Sequence, residues 1–185
     1  MKVTALEKLP DVKLIEPRVF EDSRGFFLET YQQEKYEASG INVEFVQDNL
    51  AFSDKNILRG LHYQIINPQG KLVYAVQGEI YDVAVDIRKG SPTFGVWEGF
   101  VLSADNKKQA YIPAGFAHGY FVVSATASVI YKCSDYYTPA GERGVIWNDP
   151  ALAIDWPAKS PIISDKDSVL PLLAQVDESD LPEYR

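Results

Sequence analysis

The residues of this chain that are best suited to acid–base or metal chemistry are its two histidines, His62 and His118. A transition-metal site in a small protein normally takes three or more His, Cys or carboxylate ligands. Two histidines and one carboxylate would be the minimum, so we expect no bound metal. The alternative is that each histidine is a hydrogen-bonded residue of the core, and for His118 the sequence favours that interpretation.

His62 differs from His118 because it lies in a polar segment with strand character, Arg-Gly-Leu-His-Tyr-Gln at positions 59–64. Burying an arginine and a histidine together is costly unless each finds a partner, so such a segment more often lines a wet cavity than fills a core. In a regular strand Arg59 and His62 point to opposite faces, since three residues is an odd step. We expect Gly60 to host a β-bulge that brings both side chains into one cavity.

The other candidates have less support from the residues alone. Lys71 lies in a strand that otherwise looks buried, where an edge-strand lysine that reaches water is the simpler interpretation. Tyr131 is one of 11 tyrosines, and a core tyrosine with a hydrogen-bonded hydroxyl is the default. Cys133, the one cysteine, has no evident basic neighbour, which predicts a buried and unreactive thiol. From these residues we infer only a β-barrel whose polar cavity contains His62.

Short strand patterns follow one another along the chain and must position these side chains. Residues 71–77 alternate between two faces, residues 80–87 are rich in β-branched side chains, and Gly78-Glu79 between them predicts a hairpin. Further strand patterns cover residues 43–50, 57–64, 94–102, 109–113, 116–124 and 126–137. Residues 32–38, which precede Gly40, predict a short helix. We therefore expect an all-β fold, a jelly-roll barrel or sandwich with one or two short helices and a C-terminal extension.

Length and charge limit the domain organisation and the partners. The 185 residues, 46% of them apolar, fit one domain over residues 1–185, in which residues 177–185 form an acidic, solvated tail. A net charge of −8 argues against non-specific binding to nucleic acid or to an anionic membrane. One cysteine excludes an intrachain disulfide, and the N-terminus has no continuous apolar stretch. These features predict a cytoplasmic protein.

A series of motifs identifies a family that the chain resembles. They are Asp-Ser-Arg-Gly-Phe-Phe (22–27), Phe-Val-Gln-Asp-Asn-Leu (45–50), Arg-Gly-Leu-His-Tyr-Gln (59–64), Asp-Val-Ala-Val-Asp-Ile-Arg (82–88), Gly-Ser-Pro-Thr-Phe-Gly (90–95), Ile-Pro-Ala-Gly-Phe-Ala-His-Gly (112–119), Tyr-Lys with Asp-Tyr-Tyr (131–137), Trp-Asn-Asp-Pro (147–150) and Ser-Asp-Lys-Asp (164–167). Chance is a poor explanation for so many motifs in one order. In them the chain resembles the dTDP-4-dehydrorhamnose 3,5-epimerases, which are cupin-type jelly-roll enzymes of deoxysugar biosynthesis.

The resemblance implies a role for each matching position. His62 matches the family's catalytic base, and Asp167 matches the carboxylate that orients this base. Tyr131 matches the acid on the opposite side of the sugar ring, and Lys71 matches the lysine near the C4 carbonyl oxygen. The positions that match substrate contacts are Arg24, Glu29, Gln47, Asn49, Arg59, His118, Glu142 and Lys166. Arg24, Arg59, Lys71 and Lys166 would then give the pocket a basic lining inside an acidic shell.

The resemblance also implies the assembly, because the enzyme resembled is a homodimer in which the residues matching Arg24 and Glu29 serve the neighbouring subunit's site. The implied reaction is the conversion of dTDP-4-dehydro-6-deoxy-D-glucose to dTDP-4-dehydro-L-rhamnose without a cofactor. The alternatives left open are a monoepimerase acting at C3 or C5 only, a ketoisomerase on a related nucleotide sugar, and a non-catalytic cupin that binds nucleotide sugars.

Departures from the family pattern are few. Asn56 stands where glycine is common, and Tyr74-Ala75 replaces Arg-Val, so that Tyr74 could alter how the phosphates are held.

Overall fold

Two antiparallel β-sheets lie face to face in the computed structural model, which describes residues 1–158 and 160–184. The six-stranded sheet has the spatial order β1 (Lys2–Ala5), β2 (Lys13–Glu16), β10 (Gln109–Ile112), β7 (Lys71–Gln77), β12 (Thr126–Cys133) and β5 (Gln47–Asp54). The five-stranded sheet has the order β13 (Glu142–Gly144), β6 (Leu58–Gln64), β11 (Phe116–Val122), β8 (Glu79–Asp86) and β9 (Trp97–Ser103). The strands β3 (Val19–Asp22) and β4 (Gly25–Leu28) form a separate hairpin.

Helices contribute little to this architecture. The two α-helices are α1 (Gln33–Glu37) and α2 (Asp165–Ser168), and three single 3₁₀ turns are Pro139–Gly141, Leu173–Gln175 and Glu178–Asp180. None of the helices in the described part of the chain has the length and apolar character needed to cross a membrane. The strands therefore position the side chains of interest, with α2 as the one helical exception.

The main apolar core fills part of the space between the sheets. Val73 and Val129 of the six-stranded sheet pack in one cluster with Ile80, Ala84 and Val122 of the five-stranded sheet. All five side chains are buried, and each lies on the inner face because successive side chains of a strand point to opposite faces.

The outer face of the five-stranded sheet is covered by the chain that follows β13. Leu152, Trp156 and Leu173 pack in a second cluster with Val83 and Phe121 of this sheet. Because the central strand β11 is therefore covered on both faces, all seven of its residues are buried, which is the pattern of an internal strand.

The last residues of the chain stay attached to the body while their acidic side chains remain largely in solvent. Lys89 donates its backbone N–H to the Pro182 carbonyl at 2.7 Å, and Tyr184 donates to the Lys89 carbonyl at 3.0 Å. Arg143 Nε lies 2.9 Å from an oxygen of Asp180. The acidic composition of this segment predicts a solvated tail. Composition reports the charge of a segment but not its backbone hydrogen bonds, so it does not predict this attachment to the body.

The outer face of the six-stranded sheet is covered only in part. Tyr36 of α1 and Ile41 pack against Ile15, Leu72 and Tyr111 in a third cluster. Elsewhere on this face, apolar side chains of β5 and β7 remain exposed, among them Leu50 (70% exposed), Phe52 (57%) and Val76 (48%).

The fold class predicted from the sequence, an all-β jelly-roll barrel or sandwich with one or two short helices, is confirmed. It is a sandwich, because the two main sheets are not closed into one barrel. The helix predicted over residues 32–38 is α1. The strand predicted from residue 43 begins only at Gln47, and the one predicted over residues 126–137 ends at Cys133.

The hairpin predicted at Gly78-Glu79 is wrong. Strand β7 pairs with β10 and β12, whereas β8 pairs with β9 and β11, so the two strands belong to different sheets. Gly78 has a φ of +71°, and a Cβ there would stand 2.0 Å from the Thr126 carbonyl oxygen. The tight turn is therefore real, but it carries the chain from one sheet to the other.

Candidate active site

A cavity of about 630 Å³ lies between the two sheets. The six-stranded sheet contributes Gln47, Asn49, Ala51, Lys71 and Tyr131 to its lining, and the five-stranded sheet contributes Arg59, His62, His118 and Tyr120. Its rim includes Tyr137, Glu142, Ile162 and Lys166, while Asp167 lies buried in its wall. Most of the residues that the resemblance singles out thus meet in one cavity, the exceptions being Arg24 and Glu29.

His62 and Asp167 form a hydrogen-bonded pair at the cavity wall. His62 Nε2 lies 2.7 Å from Asp167 Oδ1, and the backbone N–H of Gly60 points to Asp167 Oδ2 at 3.3 Å. Asp167 lies in α2, whose first turn is capped by the Ser164 hydroxyl, which accepts a bond from the Asp167 N–H at 3.1 Å. A four-residue helix with its own cap is enough to fix this carboxylate.

The electrostatics of the pair keep Asp167 ionised. Burial alone would raise the pKa of its carboxyl, but the hydrogen bonds from His62 and from the Gly60 N–H outweigh burial and hold that pKa below its usual value. An ionised carboxylate only accepts hydrogen bonds, so His62 Nε2 carries the proton in this pair. Nδ1 is then the ring nitrogen with a free lone pair.

The register of β6 explains how Arg59 and His62 reach the same cavity. His62 stands opposite His118, while Arg59 stands opposite Tyr120, so the pairing shifts by one residue between them. Because His118 and Tyr120 are two residues apart on β11, they share a face, and their partners on β6 share it too. The shift occurs at Gly60, whose φ is +127°, as the sequence-based interpretation of this glycine predicts.

Tyr131 and Lys71 approach the cavity from the opposite sheet. Burial raises the pKa of Tyr131, so its phenol is protonated at neutral pH. Burial lowers the pKa of Lys71, against the pull of Cys133, Asp82 and Glu142, which favour the charged amine. Lys71 lies in β7 between β10 and β12, so it is not the edge-strand lysine that the residues alone suggested.

A second histidine–carboxylate pair lies deeper in the sandwich. His118 Nε2 is 2.9 Å and 3.0 Å from the two oxygens of Asp82, which is fully buried. The sequence assigned Asp82 no role, although it lies in one of the family motifs. The informative signal was its position between Ile80 and Ala84, where a strand places a carboxylate on the inner face.

Polar side chains at the rim are linked by hydrogen bonds. Tyr137 donates its hydroxyl to Glu142 at 2.6 Å, and Glu142 also forms an ion pair with Lys166. Gln47 accepts from the Tyr137 N–H at 2.9 Å and donates to Asn49 at 3.1 Å. The Lys166 charge is thus paired at the rim, which leaves Arg59 and Lys71 as the cations of the interior lining.

Two predicted contacts lie away from the cavity of their own chain. Arg24 is on the β3–β4 hairpin and pairs with Asp22, and Glu29 pairs with Lys35 at 2.7 Å. The side chains of Arg24 and Glu29 are both exposed. Nothing within the described part of one chain brings either side chain to His62.

The structure shows where the two departures from the family pattern lie. Asn56 has a φ of +66°, the left-handed conformation that glycine adopts freely and asparagine tolerates. Tyr74 is one residue from Val73 and three from Lys71 along β7, so it lies on the outer face of the sheet with Leu72, which packs against Tyr36. It is therefore outside the lining in which phosphates would be held.

No group of three or more His, Cys, Asp or Glu side chains with metal-binding geometry occurs within residues 1–158 and 160–184. Cys133 is buried, and burial raises the pKa of its thiol. Its neighbours do include Lys71, the basic group that the sequence did not place there.

Comparisons with known proteins place this arrangement in context. The family model described as dTDP-4-dehydrorhamnose 3,5-epimerase matches residues 7–175. Among curated relatives, the dTDP-4-dehydrorhamnose 3,5-epimerase of Pseudomonas aeruginosa is 57% identical over 90% of this chain and 93% of that protein. The enzyme of the same name from Salmonella typhimurium is 52% identical over 95% of this chain and 97% of that protein.

Solved structures agree with the sequence comparison. A dTDP-6-deoxy-D-glucose-3,5-epimerase from Legionella pneumophila, in complex with dTDP-4-keto-L-rhamnose, superposes with a TM-score of 0.97 at 49% identity, covering 100% of this chain and 98% of that one. A 3'-monoepimerase from Streptomyces bikiniensis in complex with dTDP-quinovose has a TM-score of 0.91 at 35% identity, covering 98% and 93%. The chain therefore belongs to the dTDP-4-dehydrorhamnose 3,5-epimerase family.

Proposed function

We propose that the chain is an isomerase that converts dTDP-4-dehydro-6-deoxy-D-glucose to dTDP-4-dehydro-L-rhamnose, with His62 as base and Tyr131 as acid. The observation that carries this proposal is the placement of the two groups on opposing sheets, with one cavity between them. A sugar ring bound between the sheets would present one face to each. Inversion needs removal of a proton from one face and its return to the other, and this arrangement provides both.

The substrate's own chemistry explains why these residue types suffice. The protons on C3 and C5 flank the C4 ketone, so removal of either one gives an enolate whose charge lies on the C4 oxygen. His62 Nδ1 takes the proton, and Asp167 stabilises the imidazolium that results. Lys71 faces the enolate oxygen and offsets its charge, which is the electrostatic part of the barrier.

The cycle closes with proton return. Tyr131 gives its phenolic proton to the opposite face of the carbon, which reforms the ketone with inverted configuration. The imidazolium then releases a proton to solvent and the phenolate takes one up, so both groups regain their starting states. The same sequence serves C3 and C5, and no cofactor enters the balance.

The remaining polar residues are proposed as substrate contacts. Within one chain these are Gln47, Asn49, Arg59, His118, Glu142 and Lys166. Their placement on the walls and rim of the cavity supports this assignment. The nucleotide, which is larger than the sugar, would occupy the open end near Tyr137 and Lys166.

A homodimer would complete the site. The exposed apolar face of β5 and β7, with Leu50, Phe52 and Val76, is a surface suited to a second copy of the chain. We propose that the partner's β3–β4 hairpin brings Arg24 and Glu29 to the cavity.

A nucleotide sugar is made from a nucleoside triphosphate, so we also propose that the enzyme acts in the cytoplasm.

Turnover in deuterated water tests the proposed reaction. We expect deuterium at both C3 and C5 of the dTDP-sugar, read by NMR or mass spectrometry. A single labelled carbon would favour a monoepimerase, the activity named for a Streptomyces niveus relative that is 40% identical over 92% of this chain. No label at either carbon would contradict catalysis and favour a protein that only binds nucleotide sugars.

A further inference from the structure

Two buried phenol oxygens in the described part of the chain, those of Tyr63 and Tyr120, have no hydrogen-bond partner within the protein. Buried polar groups are nearly always paired, so each unpaired one requires an explanation. The two differ in where they lie. Both residues border the cavity, but the Tyr63 ring packs in the cluster between the five-stranded sheet and the C-terminal segment, with its phenol towards Asp180 and Arg143. Tyr120 instead lies on the inner face, which it shares with His118.

The surroundings of Tyr120 place it as a buried residue in the wall of the cavity. The residue is only 5% exposed and packs with Val122 and Val129 of the main core. It stands opposite Arg59 on one side and Asp82 on the other side of β11. Tyr120 shares the inner face of β11 with His118, which stands opposite His62, so it lies on the same wall of the cavity as the proposed base.

Neighbouring polar groups do not satisfy this phenol. The Ser53 hydroxyl lies close enough to lower the Tyr120 pKa slightly, but it accepts a hydrogen bond from Arg59 Nε at 3.0 Å and makes no bond of standard geometry to the phenol. Asp82 makes its bonds to His118. Burial raises the pKa of Tyr120, so the phenol is protonated at neutral pH and is a hydrogen-bond donor.

We propose that the Tyr120 hydroxyl is a substrate-positioning group, which donates a hydrogen bond to an oxygen of the bound sugar. This inference rests on the proposed function, since it names a further contact in the same cavity. The acceptor is a hydroxyl or carbonyl oxygen of the sugar rather than of the nucleotide. A site built to bond such an oxygen also discriminates against sugars that lack it.

The test is the variant Tyr120→Phe, compared with Tyr63→Phe as the matched control. Each substitution removes one unpaired buried hydroxyl and keeps the ring. Binding is measured by calorimetry with dTDP and with dTDP-quinovose, which lacks the C4 ketone and does not react. We expect Tyr120→Phe to weaken dTDP-quinovose binding about fivefold to tenfold, the loss of one hydrogen bond, and to leave dTDP binding unchanged.

Tyr63→Phe should change neither affinity, and both variants should melt close to the wild-type temperature because neither loses a bond within the protein. Unchanged dTDP-quinovose binding by Tyr120→Phe would overturn the proposal, as would an equal loss for both ligands, which would place the contact on the nucleotide. A melting temperature well below that of Tyr63→Phe would also overturn it, since the phenol would then support the fold. Failure of the proposed function would appear instead in the wild-type protein, as the absence of label from the substrate.

Discussion

His62 touches Asp167 through Nε2 at 2.7 Å, and this contact decides which ring nitrogen can act as the base. A neutral imidazole has one N–H and one lone pair. An ionised Asp167 fixes the N–H at Nε2 and leaves the lone pair at Nδ1. The role of Asp167 is therefore to select a tautomer and then to stabilise the imidazolium, and it need not touch the sugar.

Removing the base and removing the acid should have different consequences. His62→Ala should abolish exchange of the C3 and C5 protons with solvent, because no group remains to form the enolate. Tyr131→Phe should retain exchange through His62 but impair inversion, because protons return only to the face from which they left. Deuterium incorporation and product configuration are followed by NMR in the same samples. Wild-type exchange in His62→Ala would show that the base is another residue.

Asp167→Asn should lower kcat by about 10²–10⁴-fold with little change in KM, because an amide can donate to Nε2 and so place the proton on the wrong nitrogen.

The pKa of Asp167 is lower in the folded chain than its usual value. Its ionised form therefore stabilises the folded state above the ordinary carboxyl pKa of about 4, and this contribution fades as pH falls through the lower, folded pKa.

The difference in melting temperature between wild type and Asp167→Asn should accordingly be larger at pH 6 than at pH 3.5. Melting curves at several pH values check this directly. A difference that grows as the pH falls would mean that Asp167 is not held ionised by His62. Ser168→Ala, in the same short helix, is a suitable control because its hydroxyl bonds only the Asp165 carbonyl.

At the scale of the strands, the placement of His62 depends on one irregular residue in β6. Gly60 has a φ of +127°, and a Cβ at this position would stand 2.5 Å from Gly119 Cα on β11. Two backbones approach closely here, and the pairing shifts by one residue. Without that shift, Arg59 and His62 would point to opposite faces of the sheet.

Gly60→Ala should therefore destabilise the protein and reduce activity together. Gly25→Ala is the matched control for stability, because Gly25 has a φ of +125° but a Cβ added there would meet no atom within 4 Å. The control has only the backbone strain, of about 1–3 kcal/mol, whereas Gly60→Ala adds the clash with β11. Urea unfolding of both variants measures the difference. Equal losses would show that the close approach to Gly119 does not matter.

The strands also show what a sequence can and cannot predict. Alternation along residues 71–77 marked β7 correctly, because side-chain period is a local property. The hairpin at Gly78 was wrong because pairing partners are not local: β7 and β8 part at a turn that looks like any hairpin turn. The roles of His62, Tyr131 and Lys71 came from family motifs, while Asp82 and Tyr120 emerged only from the packing of β8 and β11.

At the scale of the whole molecule, charge is distributed unevenly. The net charge of −8 describes the surface, whereas the interior lining of the cavity presents the cations Arg59 and Lys71. One chain alone does not supply all four of the cations expected from the sequence. Lys166 is paired with Glu142, and Arg24 lies on the hairpin with Asp22. In the proposed homodimer, Arg24 of the partner subunit would add the fourth cation to this lining.

A mixing experiment tests whether the site is shared between subunits. Arg24→Ala lacks the residue proposed to cross the interface, and His62→Ala lacks the base. In a hybrid dimer, the chain with an intact His62 would receive an intact Arg24 from its partner. Unfolding and refolding an equimolar mixture should thus restore up to about a quarter of wild-type activity, since half the dimers are hybrid and one of their two sites is complete.

The interface itself can be removed to check the origin of this rescue. Leu50→Glu with Phe52→Glu places two charges on the exposed face of β5, and should give monomers by light scattering and abolish complementation. Val101→Glu, at an exposed apolar position on the edge strand β9, is the control that should remain dimeric. If the refolded mixture is dimeric by light scattering but shows no rescue, Arg24 belongs to the site of its own chain. Dimers that persist in Leu50→Glu with Phe52→Glu would exclude β5 as the shared face, and rescue that survives the loss of dimers would show that the site is not shared between subunits.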